Sequence, residues 1–295
     1  MPPPVAPAHI AAWSAGALDH ALGGDAELLV ARVASEAVLL GAFQRRSEIV
    51  TALDVFRRGS GGAAARVGQG SLYIGLALRR HDALIACEPS RMVNRYVRPL
   101  LKALTKCGAK AEYTGRDWLS VHHRPAGTVG FAHDASSGRA LFEAVIAMTT
   151  PFALGDRRSF HGKEAGTLVD IVGHGLDLER IALAVAEAYA TATATATDSP
   201  WTAIATDSPW TAIATVPIGI VGAGRDATGA LRVGGELMAS RDAMANLEAR
   251  LARLTADAAE GDVAAAVNAT LAAPGVVVDG VTSLASILEV ILRAR

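Results

Sequence analysis

Residues 53–78, LDVFRRGSGGAAARVGQGSLYIGLAL, are the stretch on which the reading of the chain turns. The apolar run at 53–56 reads as a strand, and Ser71–Leu78 resumes as a buried strand. Between them Arg57-Arg58-Gly59-Ser60-Gly61-Gly62 cannot continue a regular element, because three glycines surround one serine. Glycines let a backbone approach a ligand closely, and successive free amides in such a loop form a nest for anions. Two arginines just before the glycines add fork-shaped donors suited to phosphate or carboxylate. The loop is not a Walker loop, since no Gly-Lys-Ser/Thr follows, nor a dinucleotide fingerprint, since a strand and not a helix comes next.

Working outward, Glu27–Phe43 reads as two strands joined by a turn at Ala34–Glu36. A helical rhythm covers 9–22 and stops at Gly23-Gly24, and residues 1–7 form a Pro-rich tail expected to be disordered. Downstream, 89–107 is an amphipathic helix with Val93, Tyr96, Val97, Leu100, Leu101 and Leu104 on one face and Pro99 inside it. Strand material follows at 111–123 and 141–149, then a helix at 176–190 begun by Asp177. The nonamer TDSPWTAIA occurs twice in tandem, at 197–205 and 206–214, and reads as a duplication in a linker. Strand, turn, strand and helices complete the chain. The expected organisation is a tail at 1–7, a main α/β (α+β) unit with a mixed sheet at 8–190, a low-complexity linker at 191–215 and a small accessory domain at 216–295.

The 295 residues carry a net charge of −1 with 51% hydrophobic residues, which gives no field for a nucleic-acid backbone or an anionic membrane. No long apolar run or signal-peptide pattern occurs, so a soluble cytoplasmic protein is expected. Cys87 and Cys107 make no disulfide framework and no metal spacing. The lysines are Lys102, Lys106, Lys110 and Lys163, which limits any lysine chemistry to four positions. His161, Lys163 and Glu164 stand near Arg157 and Arg158 in a local basic patch.

Residues 57–71, RRGSGGAAARVGQGS, resemble the RRxSGGGAVxHDxGN loop of lipoate–protein ligases. The order of other segments is similar too. Ala37–Gln44 resembles that family's strand ending in Gly-x-x-Gln, Gly115-Arg116-Asp117-Trp118-Leu119 its GRNDL, and 229–251 the start of its accessory domain. The resemblance implies a mixed sheet flanked by helices with a small C-terminal domain. It implies an enzyme that joins lipoate, octanoate or a related acid to ATP with Mg²⁺ and passes the acyl group to a lysine of a lipoyl-type carrier domain. On that reading Arg57, Arg58, Ser60, Gly61, Gly62, Ala63, Ser71, Tyr73, Asp117 and Gln44 hold the small-molecule acid and its adenylate, with Asp117 also a candidate Mg²⁺ ligand.

The family's lysine, shortly after GRNDL, falls on Arg124 or on Pro125 according to the alignment, and neither is a lysine. Arg124 is the candidate substitute, with Lys163 a second cation that could reach the site from a loop. The family's third loop glycine is Ala63, its His-Asp pair is Val67 and Gly68, its loop-ending Asn is Ser71, and its His-His-Gly strand is Phe142-Glu143-Ala144. Two functions therefore compete: an ATP-dependent acyl–protein ligase, towards which the retained loop leans, and a catalytically degenerate relative that binds a ligand or carrier without turnover.

Overall fold

The computed structural model describes residues 4–155, 160–173, 175–193, 207–255 and 258–295. Arg157, Arg158 and Trp201, singled out in the sequence, lie outside the described residues. In chain order the strands of the first part are β1 (Pro4–Val5), β2 (Ala26–Val33), β3 (Ala37–Leu40), β4 (Val55–Arg57), β5 (Ala65–Val67), β6 (Ser71–Leu78), β7 (Ala111–Tyr113), β8 (Trp118–Val121), β9 (Arg124–His133), β10 (Ala140–Ala147) and β11 (Ala192–Thr193). The later strands are β12 (Ala212–Val216), β13 (Gly219–Arg225), β14 (Leu231–Gly235), β15 (Met238–Ala239) and β16 (Val278–Asp279). The helices are α1 (Pro7–Gly16), α2 (Met92–Lys106), α3 (Leu168–Val172), α4 (Leu178–Tyr189), α5 (Arg241–Leu251), α6 (Glu260–Leu271) and α7 (Ala285–Ala294).

The main sheet runs β1-β2-β6-β10-β9-β8-β7, with β11 also on β2. It is mixed: β1 and β11 pair parallel with β2, and the pairs from β2 through to β7 are antiparallel. Side chains alternate between two faces. One face presents Leu28, Leu72, Ile74, Phe142 and Phe131 to the apolar stripe of α2 and to α4. The other presents Leu29, Tyr73, Leu141 and Val145 to α1 and to the small sheet β4-β3-β5. Apolar residues on both faces explain why β6 and β10 read as unbroken hydrophobic runs.

Pro99 is accommodated within α2, whose buried residues keep a helical spacing from Met92 to Leu104. Asp177 caps α4 by accepting from the Glu179 amide at 2.8 Å. The first helix begins at Pro7, where a missing amide costs nothing, and ends at Gly16 instead of continuing to 22. The exposed His20 ring folds back over Gly16, 2.3 Å from where a Cβ there would be. Pro4 and Val5 are not a disordered tail: they form β1 on the edge of the main sheet.

A second apolar core spans residues 212–294 and joins β12–β14 to α5, α6 and α7. The second copy of the nonamer belongs to it, since Ala212–Ala214 lie in β12, so these residues are not linker. No helix among the described residues is long and apolar enough to cross a membrane.

Candidate functional site

The Arg57–Ala63 segment leaves β4, crosses the second face of the main sheet and reaches β5. Three residues of that face lie side by side: Gly75 on β6, Glu143 on β10 and Gly130 on β9, paired in register. The two glycines leave hollows on either side of the carboxylate. Trp13 of α1 fills the first, 2.2 Å from the Cβ that Gly75 lacks. The loop fills the second, with Ser60 Oγ at 2.3 Å and the Gly61 carbonyl at 2.6 Å from the Cβ that Gly130 lacks.

In this seat the loop's amides are consumed. Arg58 N donates to the Leu40 carbonyl at 2.9 Å, Gly61 N to Phe131 O at 2.9 Å and Gly62 N to Leu237 O at 3.0 Å. Gly59 N donates to Ser14 Oγ at 2.6 Å, Ser60 N to Glu143 Oε2 at 2.9 Å and Ala63 N to Asp117 Oδ2 at 3.1 Å. Six consecutive amides thus have partners inside the protein. The anion nest expected from the glycines does not form in this arrangement, because two of those partners are buried carboxylates and the other four are neutral oxygens. Gly62, at φ 90°, turns the chain where an L side chain would be strained.

The arginines are turned to the same purpose. Arg58 is 2% exposed and donates through Nη2 to the loop's own Gly61 and Ala63 carbonyls, at 2.8 and 3.1 Å. Arg57 is half-buried and donates through Nη1 to the carbonyls of Gly41 and Ala42, both at 3.2 Å, and of Gln44. Its Nη2 lies 3.5 Å from Asp207. Burial lowers the Arg57 guanidinium from its ordinary value, while Asp207 and Glu48 oppose the shift.

Of the remaining expected residues, Tyr73 is fully buried and its hydroxyl donates to Glu143. Burial first, then the Glu143 charge, pushes that phenol well above its ordinary range. Gln44 folds back to accept from the Gly41 amide at 3.0 Å, and Ser71 accepts from the Gly68 amide at 3.1 Å within its own turn. Asp117 is fully buried, and its backbone carbonyl accepts from Thr128 Oγ1 at 2.6 Å. It does not fit a Mg²⁺ site: one of its oxygens is committed to an amide. Among the described residues no three His, Cys, Asp or Glu side chains converge as metal ligands.

The substitute cations are not brought to the loop. Arg124 opens β9, six residues before Gly130, or about 20 Å away at strand spacing. There its Nη2 lies 4.0 Å from Glu164 and its Nε donates to the Glu164 carbonyl at 3.4 Å. Lys163 is exposed, its Nζ 5.4 Å from the centre of the Trp118 ring, on an aromatic cluster with Phe152 and Phe160. His122 and His123 are not strand residues: both have positive φ, 47° and 65°, and form the turn from β8 to β9. Cys87 and Cys107 are free and half-buried, their thiols 3.6 Å from the His81 carbonyl and 3.8 Å from the Arg180 carbonyl. Burial first pushes the Cys87 thiol up, which does not favour a nucleophilic thiolate.

Sequence reasoning missed Ser14 and took Glu143 only as a departure from a family pattern. The signal for Glu143 was present: a charged residue in an apolar strand run, with isolated glycines in the strand patterns at 71–78 and 124–133.

Beside the loop lies a cleft of about 380 Å³ lined by Ala42, Gln44, Arg45, Arg57, Asp207 and Trp210 among others. Arg45, only 6% exposed, stacks 3.8 Å from the centre of the Trp210 ring. Next to Arg45 in the chain turn, Glu48 is pushed up to about 7, chiefly by burial, with hydrogen bonding from the Arg45 amide pulling the other way.

No family model matches the chain, and no curated protein does. Solved structures do. A bipartite lipoate protein ligase from Thermoplasma acidophilum, studied with its E2 lipoyl domain, superposes with a TM-score of 0.50 at 15% identity over 65% of this chain and 86% of that one. A lipoate-protein ligase A bound with ATP gives 0.51 at 13% identity over 66% and 89%. A further T. acidophilum structure, holding lipoic acid, gives 0.51 at 14% identity over 67% and 89%. At these identities the likeness is one of architecture, and it agrees with the mixed sheet and flanking helices described above: the chain has the fold of the lipoate–protein ligases.

Proposed function

We propose that this protein is a non-catalytic relative of the lipoate–protein ligases, one that engages a lipoyl-type carrier domain or a lipoate-like acid without forming an acyl-adenylate. The observation that carries this reading is the self-satisfied loop. In the seat where a phosphate would need free amides, all six amides from Arg58 to Ala63 already donate, two of them to buried carboxylates. An anion entering there meets like charge on Glu143 and Asp117 in a low-dielectric setting. The absence of a lysine at 124 or 125 and the distance of Arg124 from the loop support the same reading.

A second reading, the ATP-dependent ligase itself, is favoured by the cleft at Arg57, whose guanidinium fork borders open volume. It requires the loop to give up Glu143 and Asp117 for ATP and an acid.

The test is incubation of the purified protein with ATP, Mg²⁺ and lipoate or octanoate, with mass spectrometry for the acyl-adenylate and calorimetry with a non-hydrolysable adenylate analogue and with a lipoyl domain. The expected result is no adenylate product and no analogue binding, with retained binding of the lipoyl domain or of the free acid. Acyl-adenylate formation at rates abolished by Arg57→Ala would overturn the proposal in favour of the ligase.

A further inference from the structure

The second nonamer is held by a purpose-shaped seat. Asp207 accepts from the amides of Arg46 and Ser47 at 2.8 and 2.9 Å, capping the tight turn at 46–48. Arg45 reaches across and donates to the carbonyls of Ser208 and Pro209, at 2.5 and 2.8 Å, and of Gly224 at 3.0 Å. Its guanidinium carbon lies 3.8 Å from the centre of the Trp210 ring. The indole in turn rests on Gly222 and Gly234, where added Cβ atoms would stand 2.4 and 3.2 Å from it. Thr211 donates to Ala223 at 3.0 Å, and Ala212, Ile213 and Ala214 pair with Ala223, Gly222 and Val221. A buried arginine, a turn with two aligned amides and two glycine hollows all read one peptide, Asp-Ser-Pro-Trp with its following strand.

Every residue of that peptide has an identical counterpart nine positions earlier: Asp198, Ser199, Pro200 and Trp201, then Thr202 to Ala205. None of the contacts just described can tell the two copies apart. They first differ where the strand continues: Val216, buried, follows the second copy, and the corresponding place after the first is Asp207.

We propose that the seat around Arg45 is a recognition site for the Asp-Ser-Pro-Trp segment as such, which the chain fills with 207–210 and can refill with its own 198–201, so that the protein has two registers nine residues apart. The resident register is preferred because it keeps β12 continuous into the chain that follows, with no loop leaving the strand between its positions 214 and 215. In the alternative register the nine residues 206–214 leave as a loop, whose closure entropy grows only slowly with length. The inference is independent of the non-catalytic reading above, since it concerns which segment occupies the seat and not what the protein acts on.

The test disables one copy at a time in the full chain. Asp207→Ala/Trp210→Ala removes the second copy's anchors, Asp198→Ala/Trp201→Ala the first's, and a four-site variant both. Amide exchange at Arg46 and Ser47 reports whether an aspartate caps the turn, and the melting midpoint reports overall fit. With exchange of registers, the first-copy variant behaves as wild type. The second-copy variant keeps the two amides within about tenfold of wild-type protection and loses less than half the midpoint drop of the four-site variant. A fluorescein-labelled TDSPWTAIA peptide binds the four-site variant and is displaced by the unlabelled peptide. The idea is overturned if the second-copy variant loses protection at Arg46 and Ser47 as fully as an uncapped turn, a result that stands even if the four-site variant does not fold. Failure of the peptide to bind a folded four-site variant overturns it as well.

Discussion

Three carboxylates hold positions that a solvent-facing acid would avoid: Glu143 and Asp117 under the glycine loop, and Glu48 beneath Arg45 and Trp210. Glu143 and Asp117 are compensated by amides, and Glu143 also by the Tyr73 hydroxyl. Glu48 accepts from the Arg45 amide at 3.3 Å, the Trp210 side chain also pulls it down, and burial outweighs both, raising it from 4.5 to about 7. A raised carboxylate means the folded protein holds the proton more tightly than the unfolded chain. Its stability contribution is therefore complete below pH 4.5, declines as pH rises from there to 7, and levels off above. The decline amounts to about 3 kcal/mol by the conversion of one pKa unit to 1.36 kcal/mol. Glu48→Gln is expected to abolish that decline and to raise stability at pH 8, which urea titrations at pH 5 and pH 8 would measure. At this scale the sequence marks the loop residues as a motif but not what they touch. Arg57, Arg58 and Ser60 are visible as a motif, whereas their partners come from Ser14, Gln44, Glu143 and Asp207, and nothing local encodes those meetings.

Elements were more legible than contacts. The helices α2 and α4 follow from periodicity, and the strand pair at 26–40, β6 and β10 from short apolar runs bounded by turn residues. The His122-His123 segment misled for a definite reason. The run Trp118–His133 has strand composition throughout, but a two-residue hairpin needs positive φ at both turn positions, and histidine is an uncommon choice there. That choice carries strain. Replacing the pair by Asn-Gly is expected to stabilise the protein by about 1 kcal/mol, offset slightly by loss of the exposed His123–Glu112 contact at 3.1 Å. A melting comparison of the double variant with the parent checks this, and no gain or a loss would mean that the histidines serve the fold in a way their exposure does not suggest.

Across the whole molecule, the second unit joins the first through Ile218, Met238 and Val277, which pack into the core of the main sheet, and through a polar seam beside them that no sequence pattern announces. His133, at the end of β9, bridges to Ser240 and lies 3.2 Å from its hydroxyl, which in turn accepts from the Val277 amide at 3.0 Å. Asp242 accepts from the amides of Ala135 and Ser136, both at 3.0 Å. His133 is 2% exposed and faces His81 at 5.6 Å, with Asp134 and Asp242 nearby. Burial first, and His81 second, lower its affinity for a proton, against the pull of the two aspartates. A histidine lowered in the folded state contributes fully above its ordinary pKa of 6.5 and loses that contribution as pH falls below it. Acidification from pH 7.5 to pH 5 is thus expected to speed amide exchange at Ser240 and Val277 several-fold beyond the intrinsic rate change, and His133→Asn should remove that dependence. Exchange at both amides that is indifferent to pH after correction would rule out the seam as the weak point.

The closure of the glycine loop has one more consequence, and it concerns time. Its amides are met by Ser14, Leu40, Asp117, Phe131, Glu143 and finally Leu237, so the contacts accumulate in the order in which a ribosome delivers the chain. Until Leu237 has emerged, the Gly62 amide has no partner, and the seam to the second core does not exist. A nascent chain therefore carries the end of this glycine-rich segment unfastened through most of its synthesis, and ribosome-bound intermediates truncated before Leu237 should be cut by proteases near Gly62 where the finished protein resists them.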